Sequence, residues 1–214
     1  MRKSLIIERL IKKIKNKLIS ERKSDQLSLY ISRLIINQFK KKEDFQLEDL
    51  EFERGDEYAL FNLYCYFIED ENLNEPFSIR AEADMETMEI EITFNPSYFP
   101  DVMQDLVGEV KETVEHELEH IEQQNFEDVE LADKSTGEDF VEYLTSDKEV
   151  PAFVRGLIKR AKTKKISLNK AMNEWFNENF RQFNDPSTEW PMVKDVWMEY
   201  ATEMREKEKI KKFN

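Results

Sequence analysis

The chain has 214 residues, 40% of them hydrophobic and 36% charged, which suits one compact domain, or one domain with a helical appendage, under a heavily solvated surface. The net charge of −14 is unevenly divided: residues 1–42 carry thirteen Lys/Arg against three Asp/Glu, a net +10, which leaves −24 on the remainder. An acidic body repels phosphate and argues against broad nucleic-acid contact. No segment reaches the roughly 20 apolar residues of a membrane span, and the single Cys65 excludes an internal disulfide.

The first fifteen residues are too charged for a signal peptide, with Glu8, Arg9, Lys12 and Lys13 inside the apolar part. Leu5, Ile6, Leu10, Ile11, Ile14 and Leu18 recur at helical spacing, as do Leu27, Tyr30, Ile31, Leu34 and Ile35 after a candidate cap at Ser24. Two helices are predicted, over 4–21 and 25–41, forming a basic N-terminal hairpin over 1–42. Its lysines suit nucleic acid, an anionic membrane surface or the acidic body itself, and the last needs no partner. Nucleic-acid and membrane partners are therefore not expected.

Residues 43–57 are acidic and read as irregular. Residues 58–68 read as a buried, aromatic-rich strand with Cys65 as a small hydrophobe inside it. Phe77, Ile79, Ala81 and Ala83 alternate with polar residues, and so do Met88, Ile90, Ile92 and Phe94. The short 84–87 stretch between them suits a hairpin. A small antiparallel sheet of about three strands is expected, ending at Asn95-Pro96.

From about 100 to 123 the period returns to helical, with Val102, Leu106, Val110, Val114, Leu118 and Ile121 in one stripe. Residues 124–146 keep no period, and Ser135-Thr136-Gly137 marks a loop. Val154, Leu157, Ile158 and Ala161 make another helical face. Further helices are predicted near 168–182 and 191–210, around Asp185-Pro186. Trp175, Phe176 and Phe180 read as a core stripe. Only 4 Gly in the chain fits long helices. The fold class is α+β, with a body over 43–214 whose central part is 77–165.

The chain's only two histidines fall in one helical segment, His116-Glu117-Leu118-Glu119-His120. Four residues apart, they lie one turn apart on one face, so both imidazoles can reach one metal ion. Glu117 turns to the edge of that face, where it can take the proton of a water held there. A catalytic zinc takes three protein ligands plus water. With the histidines exhausted, the third ligand is expected to be a carboxylate. Glu149 heads the next amphipathic helix after a return loop, and Asp147 is the alternative. Ser146-Asp147-Lys148-Glu149 also fits a capping box, which would turn Glu149 to the helix end instead.

A strand, a helix bearing HELEH and a glutamate at the head of a second helix resemble the gluzincin type of zincin metallopeptidase. The segment 143–152, Tyr-Leu-Thr-Ser-Asp-Lys-Glu-Val-Pro-Ala, resembles the downstream element of small phage and bacterial zincin-like proteins. The resemblance covers about 77–165. It implies a zinc cofactor held by His116, His120 and Glu149, Glu117 as general base, and a peptide or protein substrate. Tyr143 would stabilise an oxyanion if it faced the cleft; its other reading is packing. The expected activity is zinc-dependent peptide-bond hydrolysis in the cytoplasm, a host's cytoplasm if the chain is phage-encoded. The alternative is a non-catalytic zincin-like structural or interaction protein.

Overall fold

The computed structural model describes residues 23–54, 57–126 and 140–211. The predicted helix at 4–21 and the loop at 135–137 lie outside them. The first described element is helix α1, Lys23–Phe39, close to the second predicted helix. It buries Leu27, Ile31, Ile35 and Phe39, spaced four apart, against the sheet layer.

Strand β1, Phe45–Arg54, occupies the stretch read as irregular. Its alternation is broken by a register shift between Leu47 and Leu50, where Asp49 takes a positive φ of 53°. The bulge puts Leu47, Leu50 and Phe52 on the covered face at uneven spacing, so a strict period of two misses the strand. Strand β2 is Glu57–Glu69, β3 is Phe77–Ala83 and β4 is Thr87–Phe94. Their order is β1-β2-β4-β3. The outer pairs are antiparallel, but β2 and β4 run parallel. The expected three-stranded antiparallel sheet is thus a four-stranded mixed one. A period of two tells which residues share a face; it does not tell which strands are partners. The predicted β3–β4 hairpin is present, closed by Asp84 Oδ1, which accepts from the Glu86 and Thr87 amides at 2.8 and 2.7 Å.

Among the described residues the sheet is covered on one face only. Ala59, Phe61, Leu63 and Cys65 of β2 and Met88, Ile90, Ile92 and Phe94 of β4 are buried there. The opposite side of β2 exposes Tyr58, Leu60, Tyr66 and Ile68, so this strand is buried on one face and not on both. Burial pushes the Cys65 thiol up to about 12, with the Asp44 carboxylate adding to it, which leaves the thiol protonated and inert.

Helix α2, Met103–Phe126, carries the HELEH segment. Leu106, Val110, Val114, Leu118 and Ile121 face the sheet and α1 as the stripe predicts. Its other side is covered by a C-terminal helical layer. That layer comprises α3, Phe140–Thr145; α4, Glu149–Lys164; α5, Leu168–Asn179; and α6, Pro186–Lys211. A second apolar core forms there around Trp175, Trp190 and Trp197, with Phe153 stacked on Trp197 at 5.1 Å. The Trp197 indole donates to the Leu144 carbonyl at 2.9 Å. Trp175 and Phe176 belong to this core, but Phe180 does not. The helix ends at Asn179, and the following 3-10 turn, Phe180–Gln182, leaves the Phe180 ring 46% exposed. Among the described residues no helix is long and apolar enough to cross a membrane.

Two devices fix α4 against α2. The first is a ladder of ion pairs: Glu122 and Glu119 to Arg155, Glu115 to Lys159, Glu112 to Arg160, and Asp105 to Lys164. Partner numbers fall along one helix as they rise along the other, so the helices are antiparallel. The second is Gly156, where an added Cβ would lie 3.0 Å from the Glu112 carbonyl oxygen. The acidic face of α2 is therefore largely a matched surface for a basic helix.

Candidate metal centre

The antiparallel register that pairs Glu119 with Arg155 also brings the head of α4 opposite the end of the HELEH segment. Among the described residues, His116, His120 and Glu149 form a group that could hold a metal ion. The two Nε2 atoms are 3.1 Å apart, and Glu149 Oε2 is 3.5 Å from His116 Nε2 and 3.4 Å from His120 Nε2. Ligand atoms bound at about 2.0–2.1 Å in tetrahedral directions stand about 3.3–3.4 Å from one another. The three atoms are therefore already at the spacing of three corners of such a site. Glu149 Oε2 is also buried and faces both imidazole nitrogens, as a position suited to a cation would.

The competing capping role of Glu149 is met by its backbone. Its amide donates to Ser146 Oγ at 3.3 Å while its carboxylate turns to the imidazoles. Asp147 is exposed and stands outside the group. The nearby charges act in a consistent direction. Burial pushes Glu149 up, but its close contact with His120, the two imidazole charges and the Tyr143 hydroxyl outweigh it and hold the carboxyl below its usual range. Burial pulls His120 down, and Glu149, Glu117 and Gln123 together raise it above its ordinary value.

Glu117 is buried beside the pair, and its charge is felt at both His120 and Tyr143. Tyr143 places its hydroxyl on the Glu149 carboxylate as a hydrogen-bond donor. Burial, then the charges of Glu149 and Glu117, pushes that phenol up, so it remains a donor throughout the physiological range. Glu119, the other acid of the segment, turns away to Arg155 at 2.5 Å.

His116 and Glu117 open onto a cleft of about 390 Å³. One wall is β3, with Phe77, Ser78, Ile79 and Ala81; the others are α2, Phe153 and Arg160 of α4, and the end of α5. Trp175, read as core from the sequence, also lines this cleft. Phe153 packs edge-on to His116 at 4.7 Å.

Three contributors escape a sequence reading. Gln123 lies three residues past His120 on the same face, a spacing that signals contact but not role. Phe153 and Gly156 share the α2-facing side of α4 with Glu149, visible only once the two helices are paired. The chain matches no protein-family model, no curated protein and no solved structure, so its functional reading rests on the chemistry of this site.

Proposed function

We propose that the chain is a zinc-dependent peptidase in which His116, His120 and Glu149 hold the ion and Glu117 moves the proton. The observation that carries this reading is the convergence of two imidazole nitrogens and one carboxylate oxygen beside a second, buried carboxylate at the wall of a cleft. Two neutral nitrogens and one carboxylate are a donor set suited to zinc, and a zinc ion there supplies Lewis acidity toward water and a substrate carbonyl. A purely structural site has no need of a base such as Glu117. Its carboxylate accepts the proton of the attacking water and returns it to the leaving amide nitrogen. Tyr143 holds the Glu149 carboxylate in place through its hydroxyl.

The cleft suits an extended peptide. Its wall β3 is the edge strand of the sheet, so its outer backbone groups can pair with an added strand. Glu75, Glu109, Glu112 and Glu178 line the cleft with Arg160 as the lining cation, a balance that favours basic substrate side chains. The site of action fitting this chain is the cytoplasm. The test is hydrolysis of a quenched fluorescent peptide library by zinc-loaded protein beside Glu117→Gln. The amide cannot accept the proton, so turnover is expected to fall by about 10²–10⁴-fold while zinc stays bound. Equal turnover in the two proteins would remove Glu117 as the base. Zinc binding with no hydrolysis of any peptide would favour a non-catalytic relative.

A further inference from the structure

The amide of Gln123 bridges the two ligand-bearing helices. It is 2% exposed, at the point where α2 meets the head of α4. Its Nε2 donates to the Lys148 carbonyl at 2.9 Å, and its Oε1 lies 3.4 Å from His120 Nδ1. A backbone carbonyl can only accept, so the NH₂ end of the amide must face Lys148. The oxygen end then faces His120, and an amide oxygen can only accept. The His120 ring proton is thereby assigned to Nδ1, which leaves a lone pair on Nε2. That is the nitrogen lying 3.1 Å from His116 Nε2 and 3.4 Å from Glu149 Oε2.

We propose that Gln123 is a positioning residue that selects the metal-binding tautomer and ring orientation of His120 and, through Lys148, seats the residue preceding Glu149. This inference rests on the reading of His116, His120 and Glu149 as a metal site. One side chain thus sets two of the three ligands, from opposite helices. Its donor is used on α4 and its acceptor on the ligand of α2, so an apolar residue of similar size would lose both. A glutamate at the same place retains an acceptor for Nδ1 but loses the donor to Lys148.

The experiment measures zinc affinity by chelator competition, and the visible absorption of the cobalt-substituted protein, for wild type, Gln123→Leu and Gln123→Glu. Thermal stability of each metal-free protein is measured alongside. Gln123→Leu is expected to lose about 10–100-fold in zinc affinity, the usual cost of removing a partner of a ligating histidine, and to alter the cobalt spectrum. Gln123→Glu is expected to recover most of the affinity, because an acceptor again faces Nδ1. If Gln123→Leu fails to fold, the near-isosteric Gln123→Met, which lacks both donor and acceptor, is read in its place with the same losses expected. An unchanged affinity and spectrum in Gln123→Leu would overturn the inference, and a loss that Gln123→Glu does not restore would overturn the assignment of the His120 tautomer, because that pattern belongs to the tie to Lys148 alone. Failure of wild type itself to bind metal would instead overturn the reading beneath it.

Discussion

Gly156→Ala tests how closely the candidate metal site depends on the approach of two helices. The new Cβ would stand 3.0 Å from the Glu112 carbonyl oxygen and 3.2 Å from its Cγ. Ordinary non-bonded separations begin near about 3.5 Å, so α4 must retreat from α2 by roughly 0.5 Å. Such crowding costs about 1–3 kcal/mol, while replacing a helical glycine by alanine returns about 1 kcal/mol. The metal-free protein should therefore lose only about 0–2 kcal/mol, the difference between these terms. Glu149 lies two turns earlier on the same helix face, and ligand distances tolerate about ±0.2 Å. A retreat of this size should weaken zinc binding by about tenfold or more, within the range for disturbed ligand support. Gly108→Ala is the control, since its Cβ would meet only the flexible Lys164 side chain, at 3.2 Å. It should keep wild-type zinc affinity and gain up to about 1 kcal/mol. The assays are chelator competition for zinc and urea unfolding of the metal-free proteins. Wild-type zinc affinity in Gly156→Ala, or an equal loss in Gly108→Ala, would show that zinc binding does not depend on this close approach of α4 to α2.

Two further outcomes follow from the charged surface between the helices. Arg160 is buried and pairs with the partly buried Glu112 at 3.1 Å and with the exposed Glu178; Arg160→Met should cost about 1–3 kcal/mol in urea unfolding, because it leaves the Glu112 carboxylate without its charged partner, and an unchanged stability would contradict that. Burial first, then the Glu178 charge, pushes the Glu109 carboxyl up to about 7. A raised carboxyl binds its proton more tightly in the folded state, so its contribution to stability is full below about 4.5 and is lost as pH rises toward 7. Glu109→Gln should flatten the fall of melting temperature across that window in metal-free protein, and an unchanged slope would count against it.

The parts of the molecule legible in the sequence are those whose pattern is local. His116, Glu117 and His120 are separated by less than two helical turns, so the spacing alone places them together. The α2 stripe and the β3–β4 hairpin are legible for the same reason. Glu149 was harder, because its approach depends on an ion-pair ladder and on Gly156, which only a paired α2 and α4 reveal. Its rival, the capping box, is only half formed: the Glu149 amide donates to Ser146 Oγ, but the Glu149 carboxylate faces the imidazoles and the Ser146 amide donates to the Tyr143 carbonyl instead. β1 was hidden by the bulge at Asp49 and by its acidic outward positions. The parallel pairing of β2 with β4 has no local signature. Phe180 continues an aromatic spacing beyond the helix end, where a helical period no longer predicts burial.

Metal analysis of purified protein after zinc loading and desalting reads whether the two histidines and Glu149 hold one metal ion. Wild type should retain about one zinc per chain, as a single site with three protein ligands requires. His116→Ala and Glu149→Ala should each retain little, with the fold confirmed by circular dichroism. Equal zinc in wild type and both variants, or none in wild type, would contradict the account.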